Sequence, residues 1–145
     1  MAMEVNSEVA NGQPGNNFGE LLGFEHVTSE PDHAVLHVRL RPALCNRFGS
    51  VHGGVIMALL DAAGLWAGKA AGSALPEAVT ASLNCNFLRA ARLSDTEGLR
   101  AEARVIKRGR SMYFSHIEVI AEPSGTVLAS AQGVYGSTAV TSPRP

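Results

Sequence analysis

Apolar and polar residues alternate with period two along most of this chain, and one stretch breaks the rhythm. In residues 33–41, Ala34, Leu36, Val38 and Leu40 alternate with His37, Arg39 and Arg41, the pattern of a strand with one buried and one wet face. The rhythm recurs in 80–89, where Ala81, Leu83, Cys85 and Phe87 oppose Ser82, Asn84 and Asn86, and in 99–107, where Leu99, Ala101, Ala103 and Val105 oppose Arg100, Glu102 and Arg104. Arg108-Gly109-Arg110 turns into a further strand over 111–122, and Pro123-Ser124-Gly125 into a last one over 126–137. Connections this short imply antiparallel pairing. The exception is Gly53–Gly68, GGVIMALLDAAGLWAG, which carries one charge and no polar face. That predicts a helix buried all round. A membrane span needs roughly 20 apolar residues, so this shorter segment, with Asp61 near its middle, reads as a core helix. Upstream, Asn16 or Asn17 caps a short helix carrying Phe18, Leu21 and Leu22, which Gly23 ends.

The order is therefore short helix, two strands, long helix, four strands. A strand offers one apolar face, whereas the long helix is apolar on every side. The expected architecture is α+β, a curved antiparallel β-sheet wrapped around one long apolar helix. One sheet cannot surround a helix, so the uncovered side is expected to meet a second subunit. Residues 1–15, polar with an NGQPG turn signal, and residues 139–145, with two prolines, are expected to be tails around a single domain over 16–138. The 145 residues are 46% apolar and 17% charged, enough to pack a core and unlike a disordered chain. A net charge of −1 advertises neither a nucleic-acid nor an anionic-membrane partner. Cys45 and Cys85 read as free thiols, and with no apolar run at the N-terminus the expected location is cytoplasmic.

Candidate chemistry concentrates in Asn46–Asp61, NRFGSVHGGVIMALLD. Gly53 and Gly54 fall where the helix begins, and a helix start leaves about four backbone N–H groups unpaired at a partly positive end. Without side chains, those donors are open to a polarised carbonyl oxygen; the same glycines also suit a tight turn. Asp61 is the one charge between His52 and Lys69. A carboxylate in such surroundings is paired in the core or at a subunit contact, or it serves as a nucleophile or general base in a dry cleft. Asp61 lies eight residues beyond Gly53, about 12 Å along a helix axis. One substrate carbonyl cannot touch both within one chain. If both act on it, they come from different subunits, and a two-fold dimer creates two equal sites.

The pattern Asn46, His52-Gly53-Gly54 and Asp61, then Val79-Thr80, Leu83, Phe87-Leu88-Arg89 and Gly109-Arg110-Ser111, resembles the hotdog-fold acyl-CoA thioesterases. It looks closest to the phenylacetate-pathway (PaaI-like) branch of the 4-hydroxybenzoyl-CoA thioesterase superfamily. The resemblance covers roughly residues 18 to 137. It implies a hotdog fold, a homodimer that pairs into a homotetramer, and hydrolysis of an acyl-CoA thioester without any cofactor. By that resemblance, Gly53 N–H polarises the thioester carbonyl and Asn46 positions thioester or water. Asp61 of the facing subunit attacks or activates water, Thr80 orients it, and His52 fixes the loop more than it moves protons. Coenzyme A phosphates would meet Arg89 and the turn Arg108, Gly109, Arg110 and Ser111. The loop after the Thr80 strand, LRAARLSD, lacks the Pro and Gly usual in that family, which leaves open which arginine meets phosphate.

Other chemistries find little support. His33 and His37 lie about 13 Å apart on a strand, too far to share one metal ion, and His26 and His116 have no Cys or carboxylate neighbours at ligand spacing. No G-x-S-x-G, P-loop or G-x-G-x-x-G occurs. A hydratase or dehydratase on the same fold would want a catalytic His where Asp61 stands. A non-catalytic acyl-CoA binding module would keep the cleft without turnover.

Overall fold

The computed structural model describes residues 17–69 and 78–137; the expected tails lie outside them. Helix α1 (Phe18–Leu22) is capped by Asn17, whose Oδ1 accepts the Glu20 N–H at 2.9 Å, and it ends at Gly23 in the left-handed conformation. Strands β1 (Glu25–Glu30) and β2 (His33–Arg39) follow, then helix α2 (Gly53–Lys69), β3 (Ala78–Phe87), β4 (Gly98–Arg108), β5 (Met112–Glu122) and β6 (Val127–Ser137). The six strands form one antiparallel sheet in the order β1-β2-β4-β5-β6-β3. The strand expected over 33–41 stops at Arg39, because Pro42 starts a 3-10 turn over Pro42–Leu44. The sheet curls round α2. Ala34, Leu36 and Val38 of β2, Leu99 and Ala101 of β4, and Ile117 and Val119 of β5 close the core against Leu59, Leu60 and Ala63.

Within the chain the helix is not buried all round as its composition alone suggested; one side stays uncovered, as expected of a single sheet wrapped around it. Val55, Ile56, Leu59, Leu60, Ala63 and Ala67 are buried, whereas Gly54 and Met57 are exposed and Ala58, Asp61, Ala62, Leu65 and Lys69 are partly so. These positions recur every three or four residues and form one strip along α2. Six strands wrap only part of a helix, and the strip is what they leave.

The two sheet edges are built differently. Edge β1 is six residues long, carries Glu25, His26 and Glu30, and has a bulge between His26 and Thr28. Those are devices that keep an edge unpaired. Edge β3 has ten residues without a charge, and Val79 and Phe87 are each about half exposed on it.

Candidate active site

The front of α2 is prepared by the loop from Cys45 to His52. Asn46 Oδ1 accepts the N–H groups of Phe48 (2.9 Å) and Ser50 (3.2 Å), and Asn46 N–H donates to the Ser50 carbonyl at 2.7 Å. The Asn46 carboxamide oxygen is thus committed to holding the turn, which leaves its Nδ2 donors for other partners. Val51 N–H and Leu93 N–H tie this loop to the segment after β3 through the carbonyls of Ala91 and Gly49. His52 Nδ1 accepts the Gly54 N–H at 2.8 Å, and the His52 carbonyl accepts the Val55 N–H at 3.0 Å. His52 is therefore the N-terminal cap of the helix. The Gly53 N–H has no acceptor among the described residues. Gly53 lines a cleft of about 370 Å³ together with Asn46, Phe48, Ser50, Phe87, Leu88 and Arg89. The Phe87 ring lies 3.6 Å from where a Gly53 Cβ would sit, so the donor stands beside an apolar wall.

Asp61 is partly exposed on the open strip, and its Oδ1 accepts the Thr80 hydroxyl at 2.7 Å. Strict alternation would put Thr80 on the wet side with Ser82 and Asn84. A bulge between Thr80 and Ser82 shifts the register, pairing Thr80 with inward-facing Tyr135 while Leu83 and Cys85 pair with Gly133 and Ala131. The extra residue turns the hydroxyl toward the helix.

Asn46, His52, Gly53 and Arg89 gather at the front of α2, and Asp61 and Thr80 form a second group about 12 Å further along the axis. The turn Gly109–Ser111 lies elsewhere again. Its neighbour Arg108 donates to the Asp32 carboxylate and, at 3.1 Å, to the Gly68 carbonyl at the rear end of α2. Arg108 and Arg89 thus mark opposite ends of the helix, about 22 Å apart at 1.5 Å per residue. Arg108, one of the three arginines expected toward phosphate, thus has its guanidinium engaged within the protomer.

Sequence reasoning missed the polar docking of α2. The carbonyls of Asp61, Gly64 and Leu65 accept Tyr135 Oη (3.2 Å), Ser115 Oγ (2.9 Å) and Tyr113 Oη (2.6 Å) from the inner face of the sheet. Burial pushes both phenols far above their ordinary pKa, and the Asp61 charge pushes in the same direction, so they remain donors. The available signal was Gly64 and Gly68, two helix-weakening residues inside one helix. At the other margin of the strip, Trp66 packs edge-on against His26 at 5.1 Å, and burial lowers the His26 pKa. Among the described residues, no cluster of three or more His, Cys, Asp or Glu could hold a metal ion, and no helix is long and apolar enough to cross a membrane.

The model of the thioesterase superfamily matches residues 48–128. A candidate esterase of Deinococcus radiodurans is 34% identical over 114 residues, spanning 78% of this chain and 73% of that one. A mutant of the phenylacetic acid degradation protein PaaI from Thermus thermophilus is 25% identical, covers 83% of this chain and 97% of its own, and superposes with a TM-score of 0.71. PaaI from E. coli shares the fold at 24% identity, with a TM-score of 0.71 over 81% of this chain and 86% of its own.

Proposed function

The chain belongs to the thioesterase superfamily, and from that premise we propose that it hydrolyses an acyl-CoA thioester to the free acid and coenzyme A, at a site shared by two copies of the chain. The observation that carries this reading is a pair of unspent groups on one helix. Gly53 keeps a backbone donor without an acceptor among the described residues, and Asp61 keeps a carboxylate oriented by Thr80. Oxyanion donors work when aimed at the oxygen that gains charge, and Gly53 lines a cleft in which such an oxygen could sit. Water attacks the carbonyl carbon and gives a proton to Asp61; the oxyanion rests on Gly53; the C–S bond then breaks and the leaving thiolate takes that proton from Asp61. The Thr80 hydrogen bond draws charge from Asp61 Oδ1, which favours a base that orients water over a carboxylate that attacks directly.

The distance between the two groups supplies the argument for a second chain. Antiparallel helices that bring Gly53 to the partner's Asp61 also bring Met57 to the partner's Met57, halfway between them. The exposed strip on α2 and the uncharged, half-apolar edge β3 suit such a pairing. Coenzyme A then runs outward past Arg89 of one copy and toward the Arg110-Ser111 turn of the other, whose position beyond the rear of α2 fits a long substrate.

A panel of aryl, short-chain and medium-chain acyl-CoA esters, assayed for free thiol, tests the reading. Wild type should release thiol from at least one ester. Asp61→Asn should lower kcat about 10²- to 10⁴-fold. Gly53→Pro should lower it about 10²- to 10³-fold while the fold persists, since proline suits the first helical position. Undiminished turnover in Asp61→Asn contradicts the proposal, and tight binding of esters without thiol release favours a binding module.

A further inference from the structure

Four residues that pair side by side across the sheet all donate to helix α2. Thr80 of β3 pairs with Tyr135 of β6, Tyr135 with Tyr113 of β5, and Tyr113 with Arg108 of β4. Thr80 holds the Asp61 carboxylate, Tyr135 the Asp61 carbonyl, Tyr113 the Leu65 carbonyl and Arg108 the Gly68 carbonyl. The acceptors climb the helix by one turn at a time, as the row crosses beneath it. A carbonyl oxygen has two lone pairs, so Asp61 and Leu65 can take these donors in addition to their helical N–H partners.

The fit is made by missing side chains. A Cβ at Gly64 would stand 2.2 Å from Tyr135 Oη, one at Gly133 2.3 Å from the same oxygen, and one at Gly68 2.0 Å from the Tyr113 ring. Both tyrosines are fully buried, and their rings stack with centroids 5.3 Å apart. Three glycines therefore open a slot through which two phenols reach the helix backbone. Within the row Asp61 alone is held twice, by its side chain and by its main chain.

We propose that Tyr135 is a positioning residue for the hydrolysis, fixing the backbone of Asp61 while Thr80 fixes its carboxylate. The proposal rests on Asp61 being the base. Tyr135→Phe removes one hydroxyl and leaves the stacked ring and the helical hydrogen bond in place. Ser115→Ala is the matched control: it removes a buried donor to the same helix, at Gly64, without touching Asp61.

Steady-state thiol release and thermal unfolding are measured for wild type, Asp61→Asn, Tyr135→Phe and Ser115→Ala. The expected result is a kcat about tenfold lower for Tyr135→Phe with KM unchanged within twofold, consistent with the sensitivity of reacting geometry to small displacements. Ser115→Ala should lose comparable thermal stability but keep kcat within twofold. If Tyr135→Phe keeps its kcat while Asp61→Asn is inactive, the positioning role is overturned and the catalytic reading survives. If both control and variant lose kcat in parallel, Tyr135 only tightens the fold. If Asp61→Asn retains turnover, the positioning role falls together with the reading beneath it. Should Tyr135→Phe fail to fold, Gly64→Ala, which forces the phenol out of its slot, takes its place with the same expected split between kcat and KM.

Discussion

The two halves of helix α2 meet the rest of the protein in opposite ways. From Gly53 to Leu60 the helix has a free leading amide, an exposed Gly54 and Met57, and a cap drawn from the neighbouring His52. From Asp61 to Lys69 its carbonyls are gripped by Tyr135, Ser115, Tyr113 and Arg108. Glycine changes meaning between the halves. In front it bares a donor to a cleft; behind it admits a phenol. A helix whose carbonyls are bonded to the sheet at one end and whose leading amide is open at the other can present a charge from one half and an amide from the other, though never to the same atom.

The largest break in that contrast on stability comes from one substitution made in each half. Gly68→Ala would drive a methyl into a fully buried tyrosine ring and should cost about 3 kcal/mol. Gly54→Ala meets only the movable His52 ring at 2.9 Å. Its gain in helix propensity of about 1 kcal/mol offsets the disturbed cap, so its net change should stay within about 1 kcal/mol. Denaturant midpoints at constant slope compare the two; equal costs would mean that the halves are packed alike.

The smallest effect belongs to the outer face of the sheet, turned away from both halves. Burial works to raise the Glu102 carboxyl, but the His33 hydrogen bond and the charges of Arg100 and Arg104 outweigh it and hold the group below the ordinary carboxylate range. A carboxyl depressed in the folded state stabilises above its unfolded pKa, and the contribution fades as pH falls through the folded value. Glu102→Gln should therefore cost under about 1 kcal/mol at neutral pH and progressively less as the pH falls into the acid range. A cost that persists in acid would assign the loss to packing.

Most of the architecture was legible because it follows from local periodicity. The alternations in 33–41 and 99–107 mark strands whose inner residues Leu36, Val38, Leu99 and Ala101 do lie in the core. Gly53 and Asp61 were legible as candidates because an open helix start and a lone acid among apolar residues are conspicuous by type, whereas Asn46 stood out only through the resemblance. What escaped depends on register between distant segments. Thr80, placed beside Asp61 by the resemblance alone, reaches the helix because of a bulge that nothing in ASLNCNF announces. The work of Arg108 depends on Asp32, 76 residues away, and the tyrosine pair depends on glycines in a different element. An uncovered side of α2 was expected, but not which residues form it: composition made the helix apolar on all sides, and the curvature of the sheet decides which positions stay open.

Complementation between two inactive proteins tests the shared site most directly. Asp61→Asn and Gly53→Pro chains, each inactive alone, are mixed in equal amounts under conditions where subunit exchange is confirmed by mass. A heterodimer has one site with both defects and one with an intact Gly53 facing an intact Asp61. Thiol release should rise from the level of either parent to about a quarter of wild type, since half the dimers are mixed and each carries one working site. Exchange without recovery would mean that Gly53 and Asp61 do not act on one carbonyl across two chains.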